Sequence, residues 1–144
     1  MGISNAISAA VLLASLTFWP AAQTRTADAL QEAESLLQKQ QYDQAQVKLE
    51  GLIKTQAGNP QAWFDLGFAQ SHLGKTPESV AAYKKAVELS PKWFEANLNL
   101  GLALAKAGNV PEAASALRAA VQLKPASGGL QALVKAWLSL AQVL

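Results

Sequence analysis

Residues 60–91 read PQAWFDLGFAQSHLGKTPESVAAYKKAVELSP, and residues 94–125 read FEANLNLGLALAKAGNVPEAASALRAAVQLKP. When Pro60 is placed on Phe94, the two stretches align without a gap, and 12 of the 32 paired positions are identical. Chance would give about two identities even in a chain this rich in alanine. The two stretches are therefore copies of one unit that repeats every 34 residues. A repeat of this length decides the fold class.

A helix stop followed at once by a helix start lies in the middle of each copy. Gly74 can adopt the left-handed backbone that ends one helix, and we expect Thr76 to cap the next. Pro77 suits the first turn of that next helix, and Glu78 suits the positive end of its dipole. Residues 108–112, Gly-Asn-Val-Pro-Glu, repeat the arrangement. Each copy is therefore predicted to be two helices joined by a tight turn.

Proline and small residues define the limits and the contact face of each copy. Pro91 and Pro125 are expected to end the copies, because proline cannot continue a helix interior. Small side chains stand where the two helices of a copy would meet, at Gly67, Ala86, Gly101 and Ala120. They predict a close approach of the two helix backbones.

A third copy lies upstream with weaker agreement. Tyr42-Asp43-Gln44-Ala45 and Leu49-Glu50-Gly51-Leu52 fall in register with residues 76–79 and 83–86 of the middle copy. The repeat region is thus expected to cover residues 26–125, as units 26–59, 60–93 and 94–125.

The units resemble the tetratricopeptide repeat, whose 34-residue pattern places large, small and proline residues at fixed offsets. The middle copy carries the pattern at Trp63, Leu66-Gly67, Ser79, Tyr83, Ala86 and Pro91, and the third at Asn97, Leu100-Gly101, Leu104, Ala113, Leu117, Ala120 and Pro125. The resemblance implies an all-α, right-handed superhelical solenoid of antiparallel helix pairs, with three units and a C-terminal helix. It also implies a scaffold or adaptor that binds another protein.

The C-terminal residues 129–144 are expected to form a capping helix or the start of a fourth unit. Ala126-Ser127-Gly128-Gly129 breaks the register before it. A capping helix should have a polar outer face, yet apolar residues occur nearly all round this one, at Leu130, Leu133, Val134, Trp137, Leu138, Leu140, Val143 and Leu144. Either the natural chain continues into more repeats, or this end docks on a partner or on a second copy.

The N-terminal stretch Met1–Ala22 contains no charged side chain, and residues 7–19 form an apolar run. A run of that length fits the hydrophobic region of a secretory signal better than a membrane span, which needs about 20 residues. We therefore expect cleavage after Ala22, with an uncleaved N-terminal anchor as the alternative. In both cases the repeats would lie outside the cytoplasm, in a bacterial-type periplasm or envelope.

Composition argues against several other functions. Twelve Lys and Arg against ten Asp and Glu are scattered along the chain, without the dense basic stripe of a nucleic-acid binder. Cysteine is absent, which excludes disulfides, thiolate metal sites and thiol nucleophiles. His72 is the single histidine, and the carboxylates, Asp65 among them, look isolated on solvent faces. We expect no enzyme activity, no metal and no cofactor.

Binding is expected on the inner face that the first helix of each unit lines. Carried over from the family, the candidate partner-binding residues are Leu30, Glu34, Leu37, Gln61, Phe64, Phe68, Ser71, His72, Leu98, Leu102, Ala105 and Lys106. Phe64 and Phe68 lie one helical turn apart and form a candidate hot spot. Alternatively, these side chains pack within the protein and meet no partner.

The apolar character of this set predicts the kind of partner. Family members that hold a chaperone's C-terminal carboxylate use Lys, Asn and Arg at these offsets, whereas Phe64, Phe68, Leu98 and Leu102 stand here. An apolar groove favours an apolar or amphipathic segment of another protein. The alternative function is that of an N-terminal adaptor region in a larger enzyme or sensor.

Overall fold

The computed structural model describes residues 19–123, 125 and 129–144. These residues form α1 (Trp19–Gln38), α2 (Tyr42–Thr55), α3 (Pro60–His72), α4 (Thr76–Leu89), α5 (Phe94–Lys106), α6 (Val110–Gln122) and α7 (Gly129–Val143). Each helix packs against the next along the chain, α1 also contacts α3, and α5 contacts α7. The predicted all-α fold of stacked helix pairs is therefore confirmed for the described residues.

The helix pairs α1/α2, α3/α4 and α5/α6 correspond to the three predicted units. α1 begins at Trp19, upstream of residue 26, and passes without interruption through Ala22. The predicted signal or anchor falls largely outside the described residues, which begin at residue 19. Among residues 19–123 and 129–144, no helix is both long enough and apolar enough to cross a bilayer.

The turns between the paired helices follow the sequence prediction in their glycines but not in their caps. Gly74 and Gly108 have φ angles of 75° and 78°, the left-handed conformation expected of them. The capping prediction for Thr76 is wrong, because α4 already begins at Thr76 and its N-cap is Lys75, which makes no side-chain capping bond. At the matching position before α6, the Asn109 side chain accepts a hydrogen bond from the Glu112 backbone N–H. Lysine has no acceptor and cannot do the same.

Two glycines let the paired helices approach closely, as predicted. A Cβ added at Gly67 would lie 2.9 Å from Cδ1 of Tyr83, and one at Gly101 would lie 2.5 Å from Cγ of Leu117. Ordinary carbon–carbon contacts need about 3.5 Å or more. Each glycine therefore receives a large side chain from the second helix of its own unit.

The core runs through the whole stack as three clusters of buried side chains. One joins α1, α2, α3 and the middle of α4, and its buried members are Ala33, Ala45, Leu49, Leu52, Ala62, Leu66, Ala69 and Ala82. The other two fill the spaces around α5, and one of them contains Ala136 and Leu140 of α7. α7 thus closes the third unit with one face, while its other side is open to solvent.

A candidate peptide-binding face

The first helices α1, α3 and α5 carry all twelve residues that the sequence assigns to partner binding. On α1, Leu30 and Leu37 are half-buried and pack against the first core cluster. Glu34 lies between them in the sequence and is also half-buried. The α1 part of the face is therefore mostly an extension of the core, with one carboxylate.

Phe64 belongs to an aromatic group within the second unit, beside the start of α5. Its ring centroid lies 4.5 Å from that of Trp93, which precedes α5, and 5.6 Å from that of Tyr83 on α4. Phe64 remains half-buried. Phe64 thus packs against two rings of the protein and keeps part of its surface open to a partner.

Phe68 belongs to a second group, which joins the first and second units. Its ring centroid lies 6.3 Å from that of Tyr42 at the start of α2, and 4.5 Å from the His72 ring. The Tyr42 and His72 rings stack at 4.4 Å with an interplanar angle of 9°. We call Tyr42, Phe68 and His72 the Tyr42 cluster. Because His72 is exposed and the other two are half-buried, this cluster presents aromatic surface to solvent.

The α5 part of the face is narrower than the sequence suggests. Leu98 is only 6% exposed and shares a cluster with Ala136 and Leu140 of α7. Leu102 is half-buried against the same cluster, because the packing of α7 on α5 covers one side of this helix. A partner could reach Leu98 only if α7 moved.

The remaining predicted residues are polar or small. Ser71 and Ala105 are half-buried, and Lys106 is exposed at the end of α5. Gln61 donates a hydrogen bond from Nε2 to Oδ1 of Asp65 over 2.9 Å. These residues can support the backbone of a bound segment, but they offer little apolar contact.

Asp65 is the residue whose placement the sequence predicted wrongly. It is 5% exposed instead of solvated, because it occupies the side of α3 that packs into the stack. Its Oδ2 atom is buried without a hydrogen bond in the described structure. The pKa of Asp65 is raised to about 7, mainly by burial and also by the negative charge of Glu34, while the hydrogen bond from Gln61 lowers it. The pKa of Tyr83 is raised as well, first by burial and then by the charge of Asp65.

Sequence reasoning also missed Tyr42 and Trp93 as parts of this face. Both stand at helix starts outside the first helices, where the family offsets place no ligand contacts. One available signal was size, because large aromatic rings beside a turn usually pack on a neighbouring element. Their partners could be identified only from the stacking of one unit on the next.

Two clefts lie away from this face. One of about 560 Å³ lies between α1 and α2, lined by Glu32, Leu36, Asp43, Gln44, Val47, Lys48 and Gly51. The other, of about 250 Å³, lies between α4, α5 and α6. In the part of the chain that the structure describes, no three His, Asp or Glu side chains gather so as to hold a metal ion.

The profile of the tetratricopeptide repeat family matches residues 30–92 and 69–128, which together cover more than half of the chain. This chain belongs to the tetratricopeptide repeat family. The resemblance drawn from the repeat period and offsets is thereby confirmed. No curated protein sequence matches this tetratricopeptide repeat protein.

Solved structures share its fold at low sequence identity. SycD, a type III secretion chaperone of Yersinia enterocolitica in complex with a peptide of the translocator YopD, matches with a TM-score of 0.76 at 16% identity, covering 83% of this chain and 92% of SycD. PcrH of Pseudomonas aeruginosa, bound to the chaperone binding region of PopD, matches with 0.77 at 16% identity, covering 84% and 92%.

A third match is the first repeat domain of Spaghetti (RPAP3), bound to the HSP90 peptide SRMEEVD. Its TM-score is 0.73 at 17% identity, and the match covers 83% of this chain and 90% of that chain. Identities this low establish the shared fold and nothing further.

Proposed function

We propose that this protein is an adaptor that binds an apolar or amphipathic segment of another protein on the face formed by α1, α3 and α5. The observation that carries the proposal is the Tyr42 cluster, whose three rings join two units and remain partly open to solvent. Rigid aromatic groups of this kind are common anchors in protein interfaces. We assign the protein no catalytic role.

The structural neighbours support a peptide as ligand. SycD is crystallised with a peptide of the translocator YopD, PcrH is crystallised with the chaperone binding region of PopD, and Spaghetti is bound to an HSP90 peptide. The three occupants come from different proteins, while the scaffold is shared. The side chains on the face must therefore select the ligand, and the fold supplies the place where it lies.

The side chains on this face favour an apolar segment over an acidic one. Phe64, Phe68 and Leu102 provide half-buried apolar surface, and Glu34 adds a negative charge. Lys106 is the only cation among the twelve predicted residues, so an acidic tail would meet little complementary charge. An amphipathic segment that inserts an apolar side chain beside Phe68 fits best.

A peptide display experiment tests the proposal. Random peptides long enough to form three helical turns would be displayed on phage and selected on the full chain, and winning peptides would be synthesised with a fluorophore for anisotropy titration. We expect selected peptides to be rich in apolar residues. Phe68→Ala and His72→Ala should each weaken binding by about thirtyfold, which corresponds to the loss of about 2 kcal/mol that defines a hot-spot contact.

Val47→Ala is the matched control, because Val47 is an exposed apolar residue on α2, away from the proposed face. It should leave the affinity unchanged. Peptides that bind equally well to the Phe68→Ala, His72→Ala and unaltered chains would contradict the assignment of this face.

We further propose that the protein is exported to a bacterial-type periplasm or envelope, with membrane contact only through the N-terminal segment. The uncharged stretch Met1–Ala22 and its apolar run support this. Intact-mass measurement of the protein purified from its native cells tests it. A mature chain that begins at Gln23 is the expected result, whereas an uncleaved chain in the soluble cytoplasmic fraction would refute export.

The alternative function, an adaptor region within a larger enzyme or sensor, uses the same face for its partner. An immunoblot of native cells distinguishes the two, since a band much larger than 15.2 kDa supports the alternative. Self-association through residues 130–144 stays a prediction, and it involves a different face from the peptide site.

A further inference from the structure

Helix α7 has three distinct faces. Its inner face is buried on the third unit through Ala136, Ser139 and Leu140. A polar face carries Gln131, Lys135 and Gln142, all of them exposed. The third face is apolar and open, and it consists of Val134, Trp137, Leu138, Ala141 and Leu144. We call these five residues the α7 stripe.

All five residues of the α7 stripe are exposed, and they lie next to one another. Val134 is 46% exposed, Trp137 55%, Leu138 61% and Leu144 75%, and Ala141 is exposed as well. Single exposed apolar residues are ordinary, but a contiguous stripe of five usually marks an interaction surface. No other helix of the described chain packs along this side of α7.

The repeat register shows that a surface of this kind normally receives a helix. When Ala141 is placed on Gly101, the α7 stripe aligns with Phe94, Asn97, Leu98, Gly101 and Leu104 of α5. All five of those residues are buried, and Leu117 of α6 lies against Gly101. The small residue Ala141 stands where Gly101 stands, so the α7 stripe offers a shallow position for a large side chain from another helix.

The spacing of the α7 stripe fits a second copy of itself. Val134, Trp137, Ala141 and Leu144 follow one another at intervals of three, four and three, the a and d positions of a heptad. When two such helices lie antiparallel, an a residue of one faces a d residue of the other. Trp137 then faces Ala141 of the second copy, and Val134 faces Leu144 of the second copy.

This pairing is complementary in size and free of charge conflict. The largest residue of the stripe meets the smallest, and the two end layers pair residues of medium size. Lys135 is the only charged residue of α7, and the two Lys135 residues would be separated by about 12 Å along the helix axis. That distance exceeds the screening length of about 8 Å at physiological ionic strength. A two-fold interface requires this kind of self-complementary patch.

We propose that the protein forms a two-fold symmetric dimer through antiparallel pairing of the α7 stripe with that of a second copy. The proposal gives a geometry to the predicted self-association of residues 130–144 and is independent of the peptide site. The stripe offers roughly 400 Å² per protomer, judged from the size of the side chains involved. The total of roughly 800 Å² lies below the about 1,000 Å² of a stable specific interface, so the dimer should be weak and should dissociate on dilution through the micromolar range.

Sedimentation equilibrium of the full chain, from about 1 to 500 µM, tests the association. We expect a concentration-dependent shift from monomer to dimer. Ala141→Glu should raise the dimer dissociation constant at least tenfold, because it places two charges in the central layers. Gln142→Glu adds the same charge one residue away on the polar face, and it should change the constant less than threefold.

A crosslinking experiment tests the antiparallel arrangement. The chain contains no cysteine, so Val134→Cys and Leu144→Cys each introduce a single thiol. Under mild oxidation, a mixture of the two variants should form disulfide dimers linking residues 134 and 144. The yield should be at least five times that of either variant alone, because only the mixture places two thiols in one layer. Val47→Cys serves as the background control.

A monomer at every concentration overturns the proposal, as does a dimer that tolerates Ala141→Glu, since that dimer would use another surface. Crosslinks from 134 to 134 and from 144 to 144 would overturn the antiparallel geometry. Unchanged helical circular dichroism in Ala141→Glu keeps loss of folding from being read as loss of pairing, and peptide binding should survive in this variant.

Discussion

The second and third units have almost the same backbone and different interiors. In both, the first helix is 13 residues long and a glycine lies against the second helix. In the second unit the contact is made by the Tyr83 ring, and in the third by the branched side chain of Leu117. The repeat therefore fixes where two helices meet and leaves open which large side chain fills the contact.

The same comparison extends to polar residues. The buried carboxylate of Asp65 in the second unit has Asn99 as its counterpart in the third, and the side chain of Asn99 donates to the Glu95 backbone carbonyl. The N-cap position of the second helix is Lys75 in the second unit and Asn109 in the third. At these two positions the second unit thus carries a buried carboxylate and a second helix without a side-chain cap, whereas the third carries a neutral amide and a capped second helix.

The largest expected effect is on the glycine contact of the third unit. Leu117 is fully buried, so Leu117→Ala should lower the free energy of unfolding by about 3 kcal/mol through lost burial and a cavity. Urea denaturation followed by circular dichroism measures the change. Val47→Ala, which truncates an exposed side chain, should change stability by less than about 0.5 kcal/mol. A loss below about 1 kcal/mol for Leu117→Ala would show that the contact is loosely packed.

Asp65→Asn makes the second unit resemble the third at this position, and it should change the pH dependence of stability. The pKa is about 7 in the folded protein against an ordinary 3.8, so the folded state retains a proton that the unfolded state releases. The contribution of this proton is complete below pH 3.8 and is lost as the pH rises through 7. The pKa difference sets an upper limit of about 4 kcal/mol, and relative to the parent the variant should gain about half of this limit between about pH 4 and pH 8.

Urea midpoints measured at both pH values provide the check. Asn can still accept the Gln61 hydrogen bond, so a general loss of structure is not expected. If the parent and Asp65→Asn show parallel pH profiles, Asp65 titrates normally and the contrast between the units at this position has no energetic consequence.

Substitution of the two contact glycines by alanine should destabilise the second and third units to different extents. Gly101→Ala should destabilise by about 1–2 kcal/mol, because a methyl group 2.5 Å from Leu117 Cγ must displace that side chain. Gly67→Ala meets the Tyr83 ring at 2.9 Å and should cost less, since alanine also favours the helix by about 1 kcal/mol. Thermal unfolding ranks the two. Combining Gly101→Ala with Leu117→Ala should cost less than the sum, because the methyl fills part of the cavity.

The smallest expected effect concerns the caps. Asn109→Ala removes the side-chain acceptor from the start of α6 and should cost about 1 kcal/mol. Lys75→Ala removes no cap, only the hydrogen bond from Lys75 Nζ to Gln46 Oε1, and should cost a few tenths of that value. Equal losses in thermal unfolding would contradict the assignment of the cap to Asn109 alone.

The sequence by itself determined the repeat. The period, the turn glycines at 74 and 108, the closing prolines and the contact glycines are local requirements, and the structure confirms the turn and contact glycines directly. They are readable because a left-handed φ, a missing donor or a missing Cβ restricts the residue type at one position. The family and the all-α fold follow from the same positions.

Tertiary structure decided which side chains remain open to a partner. Leu98 is covered because α7 packs on α5, Asp65 is buried where α3 packs into the stack, and Tyr42 reaches Phe68 because one unit stacks on the next. These outcomes depend on pairs of residues far apart in the chain. The burial of a side chain and the pKa of a carboxyl group depend on all of their neighbours in space. The spacing of residues within a single helix does not specify those neighbours.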